Sequence, residues 1–378
     1  MDKKKLLVLT EMAFQGSGYY YLMTPMLDKL SKDYDIKVIG LSYEGLEHNY
    51  GFSITEAKSV QDGVVIAQNI IRLWKPDLFI CGLDIPLQIS IYHNLKPLGV
   101  KYVAITPLEN PPLTQSWAAE LMAMDYVFFI SELGKQAALK AGLTKVDHLL
   151  VGADTKTFYP AEKDEKEKVR ETLGIDSEFT IITVADNQER KNLWAEFEII
   201  SKLKNSGKKV KFILVTRENS PVGNKLRDLA LDYNLNKELM IIERGVDTAH
   251  LRSLYIASDA YLSTSKAEGL GIPILEAMAC GIPVVACDTG AITELLENKR
   301  GYLVNPEYKF RDVWGNEWRH MIGIEEAYLI LDGVSKYEGI QNITNLALDY
   351  VKTRTFDTPA NQLDIIIQEL TDEEKPSI

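Results

Sequence analysis

The sequence predicts an α/β protein with two doubly wound domains, each built on a parallel sheet. Its 378 residues are more than one domain of typical size needs. Short apolar runs, each long enough for one buried strand, alternate with helical stretches along the chain. Residues 258–289 spell out a complete strand–loop–helix–strand unit, SDAYLSTSKAEGLGIPILEAMACGIPVVACDT. In a parallel sheet, the loop of such a unit opens at the edge where ligands bind.

The first half of the chain opens with a buried strand at 6–9, a glycine-bearing loop and a helix at 20–30. The pair Gly16-x-Gly18 invites comparison with the dinucleotide-binding fingerprint, but Tyr21 occupies the third glycine position. That half-match disfavours a Rossmann dehydrogenase. Further strands are predicted at 36–39, 78–81, 100–105, 126–130 and 148–151.

The second half repeats the pattern. Its strands are predicted at 179–184, 210–215, 239–242, 260–263 and 283–286, and its helices at 324–331, 340–353 and 361–370. The charged run 161–170 is typical of a linker that enters a helix. We therefore expect an N-terminal domain at 1–160, a linker at 161–177, a C-terminal domain at 178–355 and a terminal helix within 356–378 that crosses back to the first domain.

Two glutamates give residues 258–289 their chemistry. Pro273 suits the first turn of a helix, so Glu268 lies in the preceding loop and Glu276 inside the helix. Gly269 and Gly271 let a ligand approach the backbone closely, and the amides at the head of the helix favour a phosphate. The alternative is a pair of ordinary solvated glutamates.

The stretch E-G-L-G-I-P-I-L-E, residues 268–276, resembles the motif of retaining GT-B glycosyltransferases of glycosyltransferase family 4, the glycosyl transferases group 1. The similarity continues through Ala277-Met278-Ala279-Cys280-Gly281, Pro283-Val284-Val285, Glu294-Leu295-Leu296 and Arg300-Gly301-Tyr302-Leu303-Val304. The resemblance implies a GT-B fold, in which two Rossmann-like domains face an interdomain cleft.

The resemblance also implies roles for individual residues in binding the donor. Glu268 would contact the donor sugar and Glu276 the nucleotide ribose, with Gly269, Leu270 and Gly271 lining the donor site. Lys191, in the pair Lys191-Asn192, matches the family's diphosphate-binding lysine. The family's arginine, just after the first strand of this domain, is replaced by Asp186, and we expect Arg190 to take its place. A leaving diphosphate needs such cations because its negative charge grows as the bond breaks.

Three further assignments complete the predicted site. A glycine-rich loop in relatives lies near the donor phosphates and the acceptor, which Gly16 and Gly18 would match. A backbone segment at Arg244 would read the nucleotide base. Many relatives carry a histidine or aspartate on the loop that here spans residues 106–112, and Glu109 is the only ionisable side chain there. We assign Glu109 a catalytic or acceptor-binding role, with an ordinary exposed acid as the alternative.

Composition limits the partners and the location. A net charge of −12 and a pI of about 5.1 argue against a general nucleic-acid binder. The three cysteines lack metal-site spacing and predict buried free thiols in a reducing compartment. The N-terminal apolar run is too short for a signal peptide, so we expect a cytoplasmic protein. Residues 308–320 hold Tyr308, Trp314 and Trp318 among basic residues, a pattern that favours a local satellite core. A membrane-facing or acceptor-facing insertion is the alternative, so peripheral membrane contact stays open.

Taken together, the residues and the resemblance predict a retaining hexosyltransferase of EC class 2.4. It would use a UDP- or GDP-linked sugar, needing neither metal nor cofactor, and an acceptor hydroxyl on a glycan, lipid, protein or modified nucleic acid. One alternative is a nucleotide-sugar-binding protein that has lost catalysis, motivated by Asp186 and the missing histidine. Another is a different GT-B enzyme, such as a sugar-nucleotide epimerase.

Overall fold

The structure is a computed structural model that describes residues 3–14, 17–313, 315–336 and 340–372. The chain divides into two compact units. Met1–Val151 with Phe356–Ile378 forms the N-terminal unit, and Gly152–Thr355 forms the C-terminal unit. The segment predicted as a linker lies within the C-terminal unit, where its middle is helical.

Within the described residues, the N-terminal unit is built on a seven-stranded parallel sheet in the order β3-β2-β1-β4-β5-β6-β7. The strands are β1 (Lys5–Glu11), β2 (Asp35–Leu41), β3 (Ser53–Ala57), β4 (Leu78–Gly82), β5 (Tyr102–Thr106), β6 (Tyr126–Phe129) and β7 (Val146–His148). Most are continuous apolar runs, as expected for strands covered on both faces. The edge strand β3 has only one buried residue, Ala57, and for that reason no apolar run predicts it.

The helices of this unit are α1 (Gly18–Leu30), α2 (Val60–Trp74), α3 (Ile85–Leu95), α4 (Gln115–Leu121), α5 (Glu132–Lys140) and the terminal α14 (Asp357–Asp372). Local chemistry sets several ends: Ser59, Thr114 and Ser131 each accept a hydrogen bond from the first turn of the helix that follows. The terminal helix packs on α1, and the hydroxyl of Tyr34 donates to Asp364 at 2.5 Å.

Within its described residues, the C-terminal unit has a six-stranded parallel sheet in the order β10-β9-β8-β11-β12-β13. The strands are β8 (Phe179–Val184), β9 (Val210–Thr216), β10 (Leu239–Glu243), β11 (Ala260–Ser263), β12 (Val284–Cys287) and β13 (Tyr302–Val304). An antiparallel ribbon, β14 (Pro306–Arg311) and β15 (Trp318–Ile322), follows them. The ribbon forms within residues 308–320, for which the sequence left a local core or an insertion open; Trp314 lies outside the described residues.

The helices of the C-terminal unit are α6 (Glu165–Leu173), α7 (Leu193–Asn205), α8 (Leu226–Asp232), α9 (Thr248–Ala257), α10 (Ile272–Ala279), α11 (Gly290–Leu296), α12 (Ile324–Val334) and α13 (Ile340–Lys352). Each sheet has strand order 3-2-1-4-5, extended at its far edge, so the predicted pair of doubly wound α/β sheets is confirmed. One strand was misplaced: β7 ends at His148, where the expected strand began.

Candidate functional site

The predicted donor loop lies between β11 and α10, at the carboxyl edge of the C-terminal sheet. Gly271 precedes α10 with φ of 93°, a conformation that L side chains rarely adopt. A Cβ there would also lie 3.2 Å from Ile274 Cδ1. Pro273 falls in the first turn, as predicted. The loop therefore turns sharply into the helix and presents Glu268 just ahead of the helix amides.

Glu268 is held by two cations from a short 3₁₀ turn, Glu189–Lys191. Lys191 Nζ lies 2.5 Å and Arg190 Nη1 3.3 Å from the same carboxylate oxygen, Oε2. Arg190 also donates to the carbonyl of Ala267 at 2.7 Å. A backbone hydrogen bond of 2.9 Å from Lys266 N to Arg190 O ties the two loops together. The structure thus brings together three of the predicted catalytic residues.

The charge state of Glu268 follows from this pairing. Burial raises its pKa, but the charges of Lys191 and Arg190 and their hydrogen bonds outweigh that effect and lower it to about 2. The side chain is 14% exposed. Glu268 is therefore a carboxylate at neutral pH, and its charge offsets the charges of Lys191 and Arg190.

Glu276 lies on α10 and is buried, with the hydroxyl of Tyr255 donating to its Oε2 at 2.8 Å. Burial raises the pKa of Glu276 to about 7; the Tyr255 hydrogen bond lowers it, and the charge of Asp154 raises it further. Two new hydrogen bonds from a vicinal diol would favour the carboxylate form. The side chain is thus poised to gain charge when such a ligand binds.

Tyr261 shows that the two glutamates share one neighbourhood. It is buried on β11, with its ring centroid 6.2 Å from that of Tyr255. Burial raises the pKa of its phenol, and the charges of Glu196, Glu268 and Glu276 raise it further. All three carboxyl groups therefore lie within electrostatic range of one side chain.

Glu196 was not predicted from the sequence. It lies on α7 at 1% exposure, and Thr264 Oγ1 lies 3.1 Å from its Oε1. The same hydroxyl lies 3.1 Å from the carbonyl of Lys191 and 3.0 Å from that of Asn192. One hydroxyl has a single hydrogen to give to three acceptors, so a protonated Glu196 satisfies this arrangement best. Burial raises the pKa of Glu196. Hydrogen bonds and the charge of Lys191 lower it, but burial dominates and the pKa is about 8.

A second charged cluster surrounds Asp186, at the carboxyl end of β8. Arg217 Nη2 lies 2.6 Å from Asp186 Oδ2, and Arg244 Nη1 lies 3.3 Å from Oδ1. Gln188 donates to Oδ2 at 2.7 Å. Arg217 follows β9 and Arg244 follows β10, the next two strands of the sheet. The position that lacks the family's arginine is therefore flanked by two arginines from neighbouring strands, and sequence reasoning singled out only Arg244.

The other predicted site residues belong to the N-terminal unit. Gly18 is the first residue of α1, and Glu109 is half-buried on the loop after β5. Gly16 lies outside the described residues.

No group of three or more His, Cys, Asp or Glu residues suited to a metal ion occurs in the part of the chain that the structure describes. Among those same residues, no helix combines the length and apolar character that crossing a bilayer requires.

A family model identifies the domain that carries Glu268, Glu276 and Lys191. Residues 165–311 match the family described as glycosyl transferases group 1. These residues form a group 1 glycosyltransferase domain. The matched segment begins at α6 and ends in β14, so it contains both charged clusters.

Several curated proteins are similar to this chain. The sulfoquinovosyl transferase SQD2 of Arabidopsis thaliana is 25% identical over 255 residues, which are 63% of this chain and 47% of SQD2. Several other curated relatives match over less than half of their own length, so the chain spans about half the length of the curated relatives that it matches.

Solved structures show the fold. A glycosyltransferase from Rickettsia africae superposes with a TM-score of 0.78 at 18% identity, covering 99% of this chain and 100% of that one. HepE of Anabaena, solved in complex with UDP and glucose, superposes with a TM-score of 0.76 at 17% identity, covering 97% and 100%. The predicted GT-B fold is confirmed.

Proposed function

We propose that this chain is a retaining glycosyltransferase that moves a sugar from a UDP- or GDP-linked donor to an acceptor hydroxyl without a metal ion. The observation that carries the proposal is the Glu268–Lys191 pair at the head of α10, inside the group 1 domain. A nucleoside diphosphate sugar needs a cation, helix amides and acceptors for hydroxyl groups. This cluster supplies all three from two adjoining loops and one helix.

Lys191 binds the leaving diphosphate in this proposal. Before the donor binds, Glu268 neutralises the charge of Lys191. The pairing holds Lys191 in position and avoids the cost of a partly buried charge without a counterion. A diphosphate at the head of α10 then draws Lys191 away from Glu268. The freed carboxylate accepts hydrogen bonds from the donor sugar, which orients the sugar relative to its departing phosphate.

The arginine that the family carries after β8 is supplied here by other strands. Asp186 holds Arg217 and Arg244 at the same edge of the sheet, where their remaining guanidinium donors are available to a phosphate or a base. Side-chain exposures of 37% and 30% keep both within reach of a ligand. The substitution by Asp186 thus moves the cation to a neighbouring strand and does not remove it from the donor site.

Glu276 and Tyr255 bind the ribose. A carboxylate that accepts from both hydroxyls of a vicinal diol recognises ribose whichever base it carries, so Glu276 contributes affinity more than base selection. The acceptor is deprotonated by the departing phosphate oxygen, which becomes more basic as the bond breaks. For that reason the site needs no separate general base, and the role of Glu109 is acceptor binding.

Calorimetric titration with UDP, GDP and ADP, followed by turnover with the corresponding sugars, tests this proposal. We expect one diphosphate to bind and its sugar to be consumed in the presence of an acceptor. Glu276→Ala should weaken nucleotide binding by about tenfold, the scale of one charge-assisted hydrogen bond. Lys191→Ala should lower turnover by about a hundredfold, because the leaving diphosphate loses a cation that stabilises its growing negative charge.

The pattern of effects decides between the proposal and its alternatives. Nucleotide binding without donor consumption would favour a binding protein that has lost catalysis. Interconversion of the sugar with no acceptor present would favour an epimerase. If both variants changed affinity and turnover equally, the separate roles of Glu276 and Lys191 would be wrong.

A further inference from the structure

A buried glutamate lies next to the turn that carries Lys191. Glu196 is in the first part of α7 and is 1% exposed, although carboxyl groups are rarely buried this fully unless they have partners. The 3₁₀ turn Glu189–Lys191 and Asn192, whose φ is 57°, lead into the same helix. We call residues 189–192 the Lys191 turn. The structure therefore places an unusual acid beside the backbone that sets the position of Lys191.

Thr264 connects Glu196 to the Lys191 turn. This residue follows β11 and is fully buried. Its Oγ1 lies 3.1 Å from Glu196 Oε1. The same oxygen lies 3.1 Å from the carbonyl of Lys191 and 3.0 Å from the carbonyl of Asn192. Through one hydroxyl, Glu196 therefore reaches the two peptide groups on either side of Asn192.

The proton on Glu196 decides which atom receives the hydroxyl hydrogen of Thr264. A neutral carboxyl group donates to Thr264 Oγ1, which leaves the hydroxyl hydrogen for one of the two carbonyls. A carboxylate can only accept, and a hydrogen bond to a charged acceptor is stronger than one to a carbonyl. An ionised Glu196 therefore takes the hydrogen away from the Lys191 turn. One buried proton thus determines whether Thr264 holds the turn.

The groups around Glu196 keep it neutral at pH 7. Burial raises its pKa to about 8, although hydrogen bonds with Thr183 and Thr264 and the charge of Lys191 lower it. Tyr261 of β11 also lies within electrostatic range, and burial raises the pKa of its phenol, which therefore stays neutral. The ionisable groups that other elements bring to α7 lie at partly exposed positions of that helix: Tyr233 at Glu198, Glu325 at Lys202 and Glu238 at Lys204.

From these contacts we propose that Glu196 is a positioning residue: as a neutral acid it orients Thr264, which holds the Lys191 turn and so places Lys191 for a leaving diphosphate. The need for Lys191 at a diphosphate rests on the proposed function. The control of the turn by Glu196 does not depend on that function. Losing this control should slow the reaction, because a small displacement of a group that acts on the substrate costs a large factor in rate.

Amide NMR on the full chain tests the control of the turn without any donor. The nitrogen shift of an amide responds to the hydrogen bonding of the carbonyl in the same peptide group, so the amides of Asn192 and Leu193 report on the two carbonyls. We expect at least one of these signals to move with a midpoint of about pH 8. In Glu196→Gln neither should move, because the carboxamide nitrogen donates to Thr264 at every pH. Glu198→Gln, on the same helix, is the matched control and should titrate like the wild type.

Turnover at saturating donor tests the consequence for Lys191. The wild-type rate should fall by about tenfold as the pH rises through about 8, whereas Glu196→Gln should keep its rate over that range. Glu196→Leu and Thr264→Val remove the donor and the hydroxyl, so both should be slow by about tenfold at every pH. Thr264→Ser keeps the hydroxyl and should restore the rate. Each rate is divided by the folded fraction from circular dichroism, because a merely structural role would lower that fraction alone.

The outcomes separate this proposal from the proposed function. Amides of Asn192 and Leu193 that do not titrate, or that titrate equally in Glu196→Gln, would overturn the proposal. Identical pH profiles of turnover in wild type and Glu196→Gln would also overturn it, as would a wild-type rate in folded Thr264→Val. If Glu196→Gln fails to fold, the comparison of Thr264→Val with Thr264→Ser still decides. Amides that titrate as expected in a protein that consumes no nucleoside diphosphate sugar would leave the control of the turn standing and remove the transferase function.

Discussion

Replacing Glu196 with glutamine should change how the stability of the C-terminal unit depends on pH. The carboxyl group is buried and its pKa is raised from 4.5 to about 8. Between those two values the folded state keeps a proton that the unfolded state has released. Raising the pH therefore favours unfolding of the wild type, whereas glutamine does not titrate. The Thr264 hydroxyl has one hydrogen and lies near three acceptor oxygens, an arrangement that a neutral side chain at position 196 satisfies best.

The size of the change in stability follows from the shift in the pKa of Glu196. Each unit of pKa shift corresponds to about 1.4 kcal/mol, so Glu196→Gln should gain about 1.4 kcal/mol over wild type per pH unit between about pH 5 and pH 8. Across that window the gain is about 4 kcal/mol, which is a substantial fraction of the total stability of a typical domain.

Urea unfolding followed by tryptophan fluorescence at several pH values measures this difference. Under the proposed function, a nucleoside diphosphate shifts the transition of the C-terminal unit and so identifies it. Glu198→Gln, at a partly exposed position of the same helix, is the matched control for the substitution itself. A difference between Glu196→Gln and wild type that stays flat with pH would refute a neutral Glu196 in the folded protein.

Two further predictions concern the charged clusters. Glu268→Gln should lower turnover by about a hundredfold, because the sugar loses its charged hydrogen-bond acceptor. The affinity for a nucleoside diphosphate should stay the same or rise, because Lys191 is released. Initial rates measure the turnover and calorimetry the affinity; a large loss of affinity would contradict the prediction. Arg217→Ala should weaken nucleoside diphosphate binding by about tenfold and leave nucleoside binding unchanged. Adding Asp186→Arg to that variant should restore affinity, and equal losses for both ligands would rule out a phosphate contact.

Local patterns predicted most of the regular elements because the residues that form them are neighbours in the chain. The bounds of β8 and β11 match the predicted strands, and Pro273 with Gly271 sets the start of α10 as expected. The terminal helix was predicted from its apolar face. The strand β3 was missed because an exposed edge strand needs few apolar residues. The ribbon of β14 and β15 was missed because β14 is exposed along nearly its whole length and so carries no apolar run.

By itself the sequence determined the alternation of strands and helices, the sharp loop before α10, and the grouping of Glu268 with Lys191 through its resemblance to a known family. Only the tertiary structure decided which distant side chains meet: Asp186 with Arg217, and Tyr255 with Glu276. The strand order β10-β9-β8-β11 places the ends of separate segments side by side, and burial then sets the charge of each carboxyl group. Hydrophobic periodicity carries information over a few residues, whereas these pairings depend on contacts across tens of residues.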